Sequence, residues 1–145
     1  NSYERVEVLR LLEGIVDIYL PDFKYSNNEI ALKYSGVSNY FEVAKKAIKE
    51  MHRQVGDLVL DERGIAQKGV LVRHLVLPND LAGTEEIFRF LSTKVSKNIF
   101  LNIMDQYYPC FKAFEYDELN RPITKKEYEK ALNLAQKYGL RRIAS

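Results

Sequence analysis

The chain has 145 residues, 46% of them hydrophobic and 29% charged, enough for one core and a single domain over residues 1–145. Lys and Arg number 22 against 20 Asp and Glu, and a net charge of +2 is too balanced to imply by itself a nucleic-acid footprint or an anionic membrane surface. One cysteine, Cys110, excludes an internal disulfide and a metal cluster held by this chain alone. No apolar run reaches bilayer-spanning length, so a cytoplasmic location is expected.

In chain order, the opening Asn-Ser-Tyr-Glu has no Met and reads as an excised boundary. Ser2 predicts the cap of a first helix to about Leu12, with Val6, Leu9 and Leu12 on one face and Gly14 as terminator. A strand is expected at Ile15 to Leu20, broken by Pro21. Asn27 or Asn28 caps a short helix that Gly36 ends, and Asn39 with Glu42 predicts a capping-box start to a longer one. Tyr40, Ala44, Ala47, Ile48 and Met51 line its apolar face. Leu58 to Leu60 and the turn Asp61-Glu62-Arg63-Gly64 predict a hairpin feeding a strand over Val70 to Leu77. Pro78-Asn79-Asp80 punctuates that strand, and Thr84 with Glu85 and Glu86 opens a helix to about Val95. Ile99 to Met104 reads as a strand, Tyr107 to Tyr116 as an aromatic loop, and Thr124 with Glu127 as the capping box of the last helix. Strands alternating with helices predict an α/β fold with parallel strands, as in TIM-like (β/α) barrels or doubly wound sheets. So few strands would leave barrel edges unpaired, so only a partial barrel or sheet is expected here.

Charged groups along buried strands or at their carboxyl ends are costly and mark candidate sites. A period of two puts Val16, Ile18, Leu20, Asp22 and Lys24 on one side, so a carboxylate and an ammonium leave the strand as neighbours. They suit the zwitterionic end or ribose of a cofactor, or a structural ion pair. Arg73 interrupts an apolar strand and cannot discard its charge, so it reads as an anchor for a carboxylate or phosphate, or as a bridge to Asp17 or Asp22. His74 faces the other way and reads as a packing histidine, and His52 as a surface residue. Gln106 and Tyr107 reach the same mouth, unless the aromatic loop is simply buried packing. Cys110 has no CxxC partner and no local base. Arg141, Arg142, Lys125 and Lys126 read as surface charges. Walker, GxGxxG, GxSxG and HExxH motifs are absent.

The segments GIVDIYLPDFKY, VLVRHLVLPNDLAGT and LNIMDQYYP together resemble the radical S-adenosylmethionine superfamily, close to pyruvate formate-lyase activating enzymes, from Asn1 to about Pro122. The resemblance implies the C-terminal half of a (β/α)6 barrel, its strands four to six. It also implies a parent enzyme that cleaves S-adenosylmethionine reductively at a 4Fe–4S cluster to form a 5′-deoxyadenosyl radical. By resemblance the cofactor-binding residues are Asp22, Lys24, Arg73 and Gln106 or Tyr107. The partners are a glycyl radical enzyme or another polypeptide substrate, and an electron donor for the cluster. The CxxxCxxC cluster motif is missing, so the isolated chain is expected to be inactive. Asn1-Ser2-Tyr3 resembles the remnant of a family turn, and Gln106-Tyr107-Tyr108 stands where the best-known activators carry a His. Two other readings of the same residues are a Schiff-base aldolase using Lys24 and a non-catalytic half-barrel that serves as an interaction module.

Overall fold

A computed structural model describes residues 2–144; Asn1, the first residue of the turn compared above, lies outside them. The elements follow in the order α1 (Val6–Leu11), β1 (Ile18–Tyr19), α2 (Asn28–Ser35), α3 (Tyr40–Val55), β2 (Val59–Leu60), β3 (Ala66–Leu75), α4 (Thr84–Lys94), β4 (Phe100–Met104) and α5 (Lys125–Lys137). Short 3-10 turns lie at Pro78–Asp80 and Phe111–Glu115, the second inside the loop expected to have no helical character.

The protein is α/β with an open sheet centred on β3, the longest strand. β1 and β4 flank β3, both parallel to it, with Ile18 opposite Gly69 and Leu71 through Leu75 opposite Phe100 through Met104. β2 is antiparallel to the start of β3, as the hairpin predicts. Asp61 ties the turn by accepting from the backbone N–H groups of Arg63 and Ile65. β1 is shorter than the strand expected at Ile15 to Leu20. Its ladder nevertheless resumes past Pro21, where Arg73 N–H donates to Pro21 O at 2.9 Å and Phe23 N–H to Arg73 O at 2.8 Å. Proline stops the regular strand because it lacks an N–H, but its carbonyl still accepts. Gly69 is required where β3 crosses the link between α3 and β2. Its φ is +120°, and a Cβ there would lie 2.4 Å from Leu58 Cα.

Strand alternation divides the sheet into two faces. Tyr19, Phe23, Val70, Val72, His74, Leu101 and Ile103 are buried in the core that includes residues of α3, α4 and α5. Ile18, Leu20, Asp22, Leu71, Arg73, Leu75, Phe100, Asn102 and Met104 alternate with them on the other face, which no helix covers among the described residues; all are half-buried except the exposed Leu20. α3 buries the expected stripe of Tyr40, Ala44, Ala47, Ile48 and Met51. It also holds α1, through Gln54 Nε2 donating to Leu9 O at 2.9 Å.

Local capping signals divide into two kinds. Asn27 caps α2 by accepting from Glu29 and Ile30 N–H, and Thr124 and Glu127 form the capping box of α5. Asn39 is the N-cap residue of α3, as expected, but it is left-handed, with φ 53°, and its side chain makes no capping bond; the Phe41 N–H donates instead to the Asn28 side chain at 2.9 Å. Ser2 does not cap α1, whose N-cap is Arg5. The Ser2 hydroxyl bonds the Asp22 carbonyl and lies 3.0 Å from the Tyr40 hydroxyl.

Candidate functional site

The open face carries its charge where the parallel strands run out. Asp22 and Arg73 are opposed in the β1–β3 ladder, and Asn102 is opposite Arg73 on β4, so one row of polar side chains crosses the sheet. Arg73 Nη2 lies 2.7 Å from Asp22 Oδ1, the bridge that was one of the two readings of this arginine. The approach is close enough for an ion pair but lacks hydrogen-bond alignment. Among the described residues, Asp22 Oδ1 and Arg73 Nε are the only buried side-chain polar atoms without a hydrogen-bond partner. Buried polar groups are normally satisfied, so the unbonded Arg73 Nε, beside an Asp22 Oδ1 that is ion-paired but not aligned for a hydrogen bond, makes this pair the candidate place for a further group.

The backbone beneath them is held firmly. Tyr40 Oη donates to Asp22 O at 3.1 Å and accepts from Lys24 N–H at 2.9 Å, gripping both ends of the Asp22-Phe23-Lys24 segment from α3. Burial raises the Tyr40 phenol above its usual range and keeps it a neutral, two-way hydrogen-bonding group. Tyr40 was read from the sequence only as a core residue. Its positioning role depends on a contact between residues 16 and 18 positions apart, which helix periodicity does not reveal.

A hollow of about 220 Å³ brings Asp22, Lys24, Arg73 and Gln106 together with Leu75 and Met104. Lys24 is exposed and has no ion-pair partner among the described residues, and the Gln106 amide makes only a long contact to Met104 Sδ, 3.8 Å. Tyr107 stands apart from this hollow. It lines an adjoining one of about 180 Å³ with Lys24, Tyr25 and Leu77, and its hydroxyl donates to Leu119 O at 2.8 Å. A third hollow, about 220 Å³, continues past Tyr25 and Tyr107 to Phe111 and Tyr116. The first and second share Lys24 and Leu75, and the second and third share Tyr25, Leu77 and Tyr107, so they follow one another from the charged strand ends to the aromatic loop. That loop is not the buried packing that was the alternative expectation: Tyr108, Phe111 and Phe114 are 74%, 84% and 57% exposed.

The remaining candidates are structural. His74 is fully buried; its Nδ1–H donates to Phe23 O at 2.8 Å, so Nε2 accepts from the Thr84 hydroxyl at 3.0 Å. Desolvation lowers its pKa to about 4, so it stays neutral. His52 is not simply at the surface but half-buried, 2.9 Å from Asp57 Oδ1. Arg142 is more than a surface charge, because its guanidinium donates to Leu58 O and Asn98 O and ties the C-terminal segment to the sheet. Cys110 is exposed. Asn102 was not singled out as a site residue, although the alternation Phe100, Asn102, Met104 puts it on the open face.

The residues of this row suit a ligand with both charges and several hydroxyls. They do not fit a 4Fe–4S cluster: the chain has one cysteine, and among the described residues no three His, Cys, Asp or Glu stand together as metal ligands. No described helix is long and apolar enough to cross a membrane.

No family model matches the chain. It is similar to an uncharacterized protein of Methanocaldococcus jannaschii, 46% identical over 141 residues, which is 97% of this chain and 37% of that relative. The chain therefore spans little more than a third of the length of the curated relative it matches.

Proposed function

We propose that this chain is the S-adenosylmethionine-binding, C-terminal part of a radical S-adenosylmethionine enzyme of the glycyl-radical-activator type. The observation that carries the reading is the Asp22–Arg73 pair, with two buried atoms that make no hydrogen bond, on an uncovered sheet face beside Lys24 and Gln106. Ligands of α/β folds bind outside the carboxyl ends of parallel strands, and Asp22, Lys24 and Gln106 lie just past such ends, beside Arg73 near the end of β3. S-adenosylmethionine, when bound, supplies the hydrogen-abstracting chemistry of such enzymes. The chain's own residues bind and orient it. Asp22 Oδ1 accepts from a ribose hydroxyl or the ammonium, Arg73 Nε–H donates to a ligand oxygen, Lys24 balances the carboxylate, and the Gln106 amide offers both a donor and an acceptor.

The uncovered apolar residues around the pair support a larger barrel whose other strands close over this face. The relative's greater length is consistent with cluster ligands elsewhere in the whole protein. The series of hollows running from Lys24 to the exposed aromatics of the Tyr107 loop suits an extended polypeptide substrate, such as a segment of a glycyl radical enzyme. Equilibrium binding of S-adenosylmethionine to the whole protein tests the reading. Asp22→Ala and Arg73→Ala are each expected to weaken it at least about tenfold, or about 1.4 kcal/mol. Unchanged affinity in both variants would overturn it.

A further inference from the structure

A groove on the helical side of the sheet, away from Asp22 and Arg73, has a distinct electrostatic character. We infer that this groove, between α3 and α4, docks an acidic segment of a partner protein. Helical spacing puts Glu42, Lys45, Lys46 and Lys49 on one bank, and Glu86, Arg89 and Lys94 on the other, around a hollow of about 360 Å³ with Phe90 among its walls. Five cations against two acids give this strip a charge of +3, while the whole chain carries +2, so all the rest of the molecule sums to −1. Elsewhere 17 cations are balanced by 18 acids, so this groove carries a local excess of positive charge that the rest of the molecule lacks.

Both acids are already engaged. Glu42 pairs with Lys45 at 3.0 Å, and Glu86 grips the Arg89 guanidinium through Nε and Nη2. Lys46, Lys49 and Lys94 have no carboxylate within ion-pair distance among the described residues, and the Lys49 ammonium lies 5.7 Å from the centre of the Phe90 ring. Lys46 and Lys49 are about 4.5 Å apart along the helix axis, with Lys94 on the facing bank. A compact phosphate needs converging donors, and the one guanidinium here is held by Glu86. Ammonium groups spaced along two banks match carboxylates spaced along a polypeptide, and the Phe90 ring between them, 7% exposed, offers a narrow apolar contact. Such complementarity steers encounter and fixes orientation.

Fluorescence anisotropy of the chain with a short labelled peptide rich in Glu and carrying one Leu tests the inference. Binding is expected to saturate at low salt and to weaken at least about tenfold as salt shortens the screening length. The triple variant Lys46→Glu, Lys49→Glu, Lys94→Glu is expected to lose binding at least about tenfold, while Lys68→Glu, Lys125→Glu, Lys126→Glu, with the same change in net charge elsewhere, stays within about twofold. Circular dichroism checks that both remain folded. Equal loss in the two triples would reduce the effect to net charge and overturn the proposal. So would the absence of saturable binding, or tighter binding of inorganic tripolyphosphate than of the peptide, which would make the groove a phosphate site.

Discussion

Arg73 and His74 are adjacent on β3 and meet opposite environments. His74 points into the helical layer, fully buried, with both ring nitrogens bonded and its charge suppressed. Arg73 points to the uncovered face, permanently charged, with one nitrogen on Asp22 and another unsatisfied. One face of the sheet is packed against helices with its polar ring fully bonded, and the other is open and leaves a guanidinium nitrogen unbonded.

Denaturant unfolding is the most direct way to break that contrast. His74→Ala leaves a cavity and strands the Phe23 carbonyl and Thr84 hydroxyl, at a cost of about 3 kcal/mol, while Arg73→Ala is expected to stay within about 1 kcal/mol. Comparable losses in both would make Arg73 a structural residue. The covered face also has its own pH signature. The folded-state pKa of His74, about 4, lies below its ordinary 6.5, so the fold favours the neutral ring. The stabilisation is complete above about pH 6.5 and declines as pH falls towards 4, on the order of 3 kcal/mol in all. A stability curve against pH that keeps this slope in His74→Ala would assign it elsewhere. On the open face the measurable quantity is affinity, where the tenfold loss expected for Asp22→Ala and Arg73→Ala should appear without matching loss of stability. The smallest effect concerns the scaffold: Thr124→Ala removes half of the α5 capping box, for about 1 kcal/mol, and should leave ligand affinity unchanged.

What the sequence disclosed follows the range of the forces involved. The α5 capping box, the Asn27 cap and the Asp61 turn were legible because donor and acceptor lie within a few residues of one another. The alternation that puts Asp22 and Lys24 on one side was legible for the same reason, whereas the partner of Arg73, on another strand, stayed open between Asp17 and Asp22 and is decided by the strand pairing. Asn39 was rightly placed at the start of α3, but its capping box does not form, because Asn28, from another helix, meets the orphan N–H of Phe41. Ser2 was misread because its hydroxyl serves a carbonyl 20 residues away. Tyr107 was grouped with Gln106 as a neighbour in sequence. Its hydroxyl turns instead to Leu119, a loop contact that no periodicity encodes.

The pairing of Asp22 with Arg73 also bears on how the chain avoids misfolding. Parallel strands rich in Val, Leu and Ile can slide past one another with little loss of apolar contact. A slip by one residue, however, exchanges the faces of every side chain on the strand. In β3 that exchange would drive a guanidinium into the layer of Phe23 and Phe88 and expel His74 from its two partners. Arg73 therefore acts as an alignment pin, penalising wrong registers before any ligand is present.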